Sequence, residues 1–366
     1  MAKKSIVLLK NDNALLPLKK EGQKIALIGA LAADKTSPLG SWRIAAEDST
    51  AISVLEGLEA YTANELLYAK GADLIKGTPD FIHEVKINET DKSGFKEAMQ
   101  IARQAHVVVM VLGEHGFQSG EGRSRVNVGL PGVQQELLEA VYSVNKNIVL
   151  VLQNGRPLAI NWAHEHVPAI VEAWHLGTQS GHAIAQVLYG DYNPSGKLPM
   201  SFPRHVGQLP IYYNYKNTGR PSMPAPDQVF WSHYTDEDNT PLYPFGFGLS
   251  YTNFTYKAIQ VTNTFKKNKE VRISVDVTNT GNYEGTEIAQ LYIRDLVAKI
   301  TRPVKELKGF EKVTLLPGET KTIHFVLTEE DLGYYDNTGA FLIEPGKFKV
   351  FVGGSSNTQL DTAFIL

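Results

Sequence analysis

The chain has 366 residues, of which 43% are hydrophobic and 20% charged, as is typical of a globular protein with two or three cores. Lysine and arginine number 36 against 39 acidic residues, and the net charge of −3 gives no support for nucleic acid as a partner. Cysteine is missing, which excludes disulfides, thiol catalysis and cysteine-ligated zinc. The sequence contains no apolar run of about 18 residues, so it gives no support for a membrane partner.

The first two hundred residues alternate strand-like and helix-like segments. Apolar runs predict strands at residues 24–28, 106–112, 147–152 and 169–174, and helical periodicity predicts helices at residues 51–59, 95–104, 133–144 and 182–188. Strands separated by helices indicate βαβ units with right-handed crossovers. We therefore predict an α/β fold over residues 1–215, a mostly parallel sheet sandwiched by helices on both faces.

An irregular connection is predicted over residues 216–252. Proline, asparagine, tyrosine and glycine are frequent between residues 203 and 244, and no period is visible there. Ordered connections of this length are usually functional or serve as linkers. Trp231 lies on this stretch and could border a pocket, so we treat it as a candidate substrate-binding residue.

Residues 253–366 have the pattern of an all-β domain. Residues 271–278 alternate between apolar and polar side chains, as expected of a strand with one buried face, and a turn signal follows at residues 279–282. Further strands are predicted at residues 287–293, 321–327 and 347–352. Short strands with regular turns predict an immunoglobulin-like sandwich, and the absence of cysteine favours a fibronectin type III-like domain.

The strongest candidate for a functional site is the loop at residues 113–125. It follows the predicted strand at residues 106–112 and contains two glutamates, two arginines and four glycines. In open α/β sheets, ligands bind beyond the C-terminal ends of the strands. We therefore expect this loop to take part in chemistry, rather than to be a solvated surface connection.

Other sequence motifs fail to match known enzyme sites. Residues 190–197 look like a phosphate-binding loop, but the spacing is one residue too long and Leu198 replaces the Ser or Thr that would bind magnesium. His164 and His166 are two residues apart, which cannot form the zinc pair of an H-E-x-x-H helix. Neither a G-x-G-x-x-G turn nor a G-x-S-x-G elbow is present. We expect no metal and no cofactor.

Several segments resemble glycoside hydrolase family 3 β-glucosidases, in the order found in that family. They are residues 5–13, 15–18, 40–42, 119–125, 154–157, 190–199, 243–252 and 302–310. The resemblance covers essentially the whole chain, and it implies that an (α/β)₈ barrel carrying an aspartate nucleophile precedes these parts. The sequence contains no such segment. We therefore expect the C-terminal half of such an enzyme, with the barrel as a partner in cis or in trans.

The resemblance also implies roles for single residues. Retaining glycosidases use two carboxylates, a nucleophile and an acid/base, and Glu121 matches the acid/base. Glu114 is the alternative, because it lies at the strand end, where it could equally pair with Arg123 or Arg125. Both arginines and Trp42 are candidate substrate-binding residues. The alternatives are loop anchoring for the arginines and core packing for Trp42.

The activity implied by the resemblance is that of a retaining exo-β-glucosidase, which removes terminal β-D-glucosyl residues from β-glucosides or short oligosaccharides, as in cellulose degradation. Without the nucleophile, the chain could instead be a non-catalytic carbohydrate-binding or interaction fragment. A portion of a β-xylosidase is also open, because the contacts to the glycone would lie mostly on the barrel. A periplasmic or extracellular location is favoured over a cytoplasmic one, and a homodimer is allowed.

Overall fold

A computed structural model describes residues 1–43, 45–221 and 228–366 of the chain. The chain forms two compact units. The first, called here the α/β unit, comprises Met1–Gly196 and His205–Gly207, and the second, the β unit, comprises Lys197–Arg204 and Gln208–Leu366. The domain limits expected from composition, at residues 215 and 252, stay predictions.

A six-stranded sheet forms the centre of the α/β unit. Its strands are β1 (Val7–Asn11), β2 (Lys24–Ile28), β3 (Glu65–Ala69), β4 (Val107–Gly113), β5 (Ile148–Gln153) and β6 (Ala169–Glu172). The order across the sheet is β1-β6-β5-β4-β2-β3, with β1 antiparallel to β6 and all other pairs parallel. Every residue of β4 and β5 is buried, as expected where both faces of a sheet are covered. The predicted mostly parallel α/β sheet is confirmed.

Helices flank the sheet in two groups. They are α1 (Ala2–Ser5), α2 (Val54–Glu59), α3 (Phe95–Gln104), α4 (Gln134–Tyr142), α5 (Asn161–His166) and α6 (Ser180–Leu188). Helix α2 packs on α6, and α3 packs on α4. The first contact depends on glycine, because a Cβ at Gly57 would lie 2.2 Å from the carbonyl oxygen of Gly181. A side chain at either position would push the two helices apart.

The side of the sheet on which successive strands are added changes between β2 and β4. From β2 it passes to β3 at one edge, whereas from β4 it continues through β5 to β6 on the other side. Strands β2 and β4 are neighbours and parallel, so their C-terminal ends lie side by side. Connections that leave such a pair toward opposite faces open a crevice, and ligands of α/β proteins bind there. The fold thus places the loops that follow β2 and β4 at the edge of the sheet where this topology favours a ligand.

Two antiparallel sheets form the sandwich of the β unit. The strands are β7 (Phe254–Asn263), β8 (Val271–Asn279), β9 (Gly285–Asp295), β10 (Glu306–Leu315), β11 (Thr320–Leu327), a small pair β12 (Tyr334–Tyr335) and β13 (Phe341–Leu342), β14 (Lys347–Gly353) and β15 (Asp361–Ile365), with short helices α7 (Phe265–Asn268) and α8 (Glu329–Leu332). One sheet has the order β10-β9-β14-β15 and the other β11-β8-β7. Apolar residues alternate along β8 and enter the core between the sheets. The predicted all-β domain is confirmed.

Candidate active site

A cavity of about 300 Å³ opens in the α/β unit. Three connections line it: the one after β2, the one after β3 and the one after β4. The residues are Ser41, Trp42, Phe81, Ile82, His83, Glu84, Glu121, Gly122 and Arg123. The cavity is therefore built by the loops that leave the C-terminal ends of three adjacent parallel strands.

Three of the predicted site residues meet at this cavity, namely Trp42, Glu121 and Arg123. The side chain of Trp42 is 66% exposed, so it is not packed in the core and its ring is open to a ligand. Glu121 is exposed, and its carboxylate makes no hydrogen bond or ion pair with any other residue of the described ranges. An unengaged carboxylate at an open cavity can exchange a proton with a bound ligand.

Glycines shape the tip of the loop that carries Glu121. Gly120 has a φ of +122° and Gly122 a φ of +72°, which are conformations that side chains rarely adopt. A Cβ at Gly120 would lie 2.4 Å from Oγ of Ser41. The tip can therefore pack closely against the connection after β2, and this contact brings Glu121 and Trp42 to the same cavity.

Arg123 anchors the same loop. Its Nη2 donates to the carbonyl oxygen of Phe81 at 2.6 Å, and its Nη1 donates to that of Phe117. The guanidinium carbon lies 5.2 Å and 5.1 Å from the ring centroids of these two phenylalanines. These contacts give Arg123 an anchoring role at the cavity wall, and a contact of Arg123 with substrate stays a prediction.

Glu114 is fully buried and lies at the centre of an ion-pair network. Its Oε1 is 2.6 Å from Nη1 of Arg125 and 3.0 Å from Nε of Arg156. Arg125 also donates to the carbonyl oxygen of Gly129 at 3.1 Å. Neither Glu114 nor Arg125 lines the cavity. Glu114 thus has the contacts of a structural carboxylate, and substrate binding by Arg125 stays a prediction.

Arg156 is a residue of this site that the sequence analysis did not single out. Its Nη2 donates to the carbonyl oxygen of Arg123 at 2.8 Å and to that of Gln118. It follows β5, the strand next to β4, so the connections after the two strands leave the sheet side by side. The signal for it in the sequence is the segment at residues 154–157, which resembles the family.

Trp231 belongs to the β unit. Its indole Nε1 donates to Oε1 of Gln228 at 2.8 Å. A contact between Trp231 and substrate stays a prediction.

Within the described ranges, no group of three or more histidine, aspartate or glutamate side chains is placed to hold a metal ion. No helix in those ranges is long and apolar enough to cross a membrane.

Two titratable groups lie at the C-terminal end of β6, namely Glu172, its fully buried last residue, and His175, which is partly buried. Burial raises the pKa of Glu172 well above its usual range, even though its carboxylate accepts hydrogen bonds from the backbone N–H of Trp174 at 2.8 Å and from Asn154 at 3.1 Å. Burial lowers the pKa of His175 to about 4. A Cβ on Gly155 would lie 3.3 Å from the His175 ring and 2.0 Å from Oγ of Ser119. His175 and Ser119 of the loop that carries Glu121 therefore both lie against Gly155.

The buried imidazole should make stability depend on pH. An unfolded chain protonates histidine near pH 6.5, whereas folded His175 stays neutral down to about pH 4. Acidification between these values therefore favours the unfolded state, and from pH 7 to 4.5 this residue should lower the free energy of unfolding by about 2 kcal/mol. Urea denaturation at both pH values should show a smaller loss in His175→Gln than in the unaltered chain. An equal loss in both proteins would contradict this assignment.

Comparisons with known proteins agree with this architecture. The model of the Glycosyl hydrolase family 3 C-terminal domain matches residues 6–251, and that of the Fibronectin type III-like domain matches residues 287–356. A periplasmic β-glucosidase of Salmonella typhimurium is 46% identical over 97% of this chain and 48% of its own length. A β-xylosidase of Formosa agariphila is 41% identical over 98% of this chain and 48% of its own length.

A solved structure is similar over the whole chain. The β-glucosidase of Listeria innocua in complex with isofagomine has a TM-score of 0.88 and 37% sequence identity, over 100% of this chain and 48% of that protein. This chain therefore spans about half the length of the curated relatives and of the solved structure that it matches.

Proposed function

The chain belongs to glycoside hydrolase family 3, and we propose that it supplies the acid/base carboxylate of a retaining exo-β-glucosidase. One observation carries this proposal. The carboxylate of Glu121 is exposed and unengaged within the described ranges, and it lies at a cavity with Trp42 at the C-terminal edge of a parallel sheet. The other glutamate of the loop, Glu114, is buried in ion pairs and has no such access.

The proposed reaction is a double displacement. An aspartate of the (α/β)₈ barrel, which the family provides in cis or in trans, attacks the anomeric carbon while Glu121 donates a proton to the leaving oxygen. A glycosyl-enzyme forms, and the alcohol departs. Glu121, now a carboxylate, then takes a proton from water, whose oxygen attacks the anomeric carbon and releases the sugar. Two inversions at the anomeric carbon leave its configuration unchanged.

We propose a β-glucoside or short β-linked oligosaccharide, such as those released in cellulose degradation, as the substrate. The exposed ring of Trp42 offers a flat apolar face, against which a sugar ring can stack. β-Xylosidase activity is the second candidate, because the Formosa agariphila relative carries that name. We also propose a periplasmic location, by analogy with the Salmonella typhimurium relative. A homodimer stays a prediction.

Without a barrel, this chain should release no p-nitrophenol from p-nitrophenyl β-glucoside above the background rate. One carboxylate cannot carry out a double displacement, and acid catalysis alone contributes only about 10²–10⁴-fold. Joining the chain to a family 3 barrel, or mixing the two, should give turnover, which is followed by absorbance. The matched control is Glu121→Gln, joined to or mixed with the same barrel. It should give no turnover of substrates with poor leaving groups. Robust hydrolysis by the chain without a barrel would contradict the proposal.

A further inference from the structure

One guanidinium group closes the base of the loop that carries Glu121. Nη2 of Arg156 donates to the carbonyl oxygens of Gln118 and Arg123, which stand on either side of the tip at residues 119–122. Because both carbonyls converge on a single nitrogen, the separation between the two arms of the loop is fixed. A lysine could not reproduce this arrangement together with the ion pair of Arg156, since it has no rigid planar fork.

A buried carboxylate fixes the orientation of that guanidinium group. Glu114 is fully buried, and its carboxylate is 3.0 Å from Nε of Arg156 and 2.6 Å from Nη1 of Arg125. A buried charge must stay paired, because the cost of leaving it uncompensated is several kcal/mol. Arg156 therefore holds Glu114 through Nε while its Nη2 holds the loop.

The tip also rests on the residue that precedes Arg156. A Cβ at Gly155 would lie 2.0 Å from Oγ of Ser119 and 2.6 Å from its Cβ, a distance that no side chain could tolerate. The connection after β5 thus touches the loop at its tip and at its base. Any shift of residues 155 and 156 is transmitted to Glu121.

We propose that Arg156, oriented by Glu114, is the positioning residue that holds Glu121 within reach of the leaving oxygen. This inference rests on the proposed function. A general acid must lie about 2.6–3.2 Å from the atom it protonates, and a misplacement of about 1 Å can cost about 100-fold in rate. Loss of the positioning contact therefore slows only those substrates whose leaving group needs the proton.

The test compares two lysine variants of the chain joined to, or mixed with, a family 3 barrel. Arg156→Lys should lower kcat/KM for methyl β-glucoside, a poor leaving group, by about 100-fold, and should leave that for 2,4-dinitrophenyl β-glucoside within about threefold, because the dinitrophenolate departs without protonation. Arg125→Lys is the matched control, since Arg125 pairs with the same Glu114 but binds Gly129 instead of the tip. It should change both substrates by the same factor.

A second variant disturbs the loop at its tip and leaves the guanidinium group of Arg156 in place. Gly155→Ala forces Ser119 and the tip to move, and it should reproduce the selective loss on methyl β-glucoside. Equal losses on both substrates in Arg156→Lys and Gly155→Ala would overturn the inference. A selective loss of the same size in Arg125→Lys would also overturn it, because Arg125 makes no bond to residues 118 or 123.

Hydrogen exchange separates this inference from the proposed function. In the chain without a barrel, Arg156→Lys should raise the exchange rates of the amides of Gln118 and Arg123, which donate to the carbonyl oxygens of His115 and Gly120, about tenfold, because the loop opens more readily, with no change in β5. Unchanged exchange at these two amides would overturn the positioning role, whether or not the enzyme turns over. If the unaltered chain with its barrel hydrolyses no glycoside while these amides respond as expected, the proposed function fails and the contact stands.

Discussion

Replacing Glu121 with alanine, in the chain joined to or mixed with a family 3 barrel, is expected to lower kcat/KM for alkyl β-glucosides by about 10²–10⁴-fold. These substrates depart as strongly basic alkoxides unless the leaving oxygen receives a proton, and the variant has no proton donor in the cavity at that position. For 2,4-dinitrophenyl β-glucoside, formation of the glycosyl-enzyme should be almost unaffected. Hydrolysis of the glycosyl-enzyme should become slow, because no base activates water. Steady-state rates over a series of leaving groups measure both effects.

The matched control for this prediction is Glu84, which lines the same cavity and is also exposed. Glu84→Ala removes a carboxylate of the same size and charge, a short distance along the cavity wall. It should change the rates for good and poor leaving groups by the same factor. If Glu84→Ala showed the selective loss and Glu121→Ala did not, the acid/base would be Glu84.

Replacing Glu114 with alanine is expected to lower the free energy of unfolding by about 3–5 kcal/mol. The carboxylate is fully buried between Arg125 and Arg156, and its removal leaves two largely buried guanidinium groups without their counter-ion. Urea denaturation followed by circular dichroism measures the change. Asp73→Ala, which breaks the exposed ion pair with Lys70, is the control and should cost less than about 1 kcal/mol. A loss below about 1 kcal/mol at Glu114 would show that the network contributes little.

The central strands of the fold could be predicted from the sequence because burial on both faces leaves a continuous apolar run. Strands β2, β4, β5 and β6 were all expected within two residues of their bounds. The strands that were not expected in the three larger sheets are β1, β3, β7, β10 and β15, and each of them lies at the edge of its sheet. Edge strands bury less surface, so their apolar pattern is weaker. In β10, for example, Phe310 is exposed and lies near the charged residues Lys308, Glu311 and Lys312.

The candidate site was predictable only in part, for a related reason. Glu121 and Trp42 stand in short segments that resemble the family, and a strand-end loop rich in glycine and charge draws attention by itself. The contribution of Phe81 and Ile82 to the cavity was not predictable, because the connection after β3 has no period and β3 itself was not expected. The bonds from Arg156 to the loop depend on β4 and β5 being neighbours, which is a property of strand order rather than of local sequence.

The most direct test of Glu121 as the acid/base is the product that Glu121→Ala forms from 2,4-dinitrophenyl β-glucoside in the presence of azide. Azide needs no general base, so it should attack the accumulated glycosyl-enzyme and release β-glucosyl azide, identified by the coupling constant of its anomeric proton in the NMR spectrum. Glu84→Ala, which retains Glu121 and the ion pairs of Glu114, should give glucose alone. Formation of β-glucosyl azide by Glu84→Ala or Glu114→Ala but not by Glu121→Ala would contradict the account.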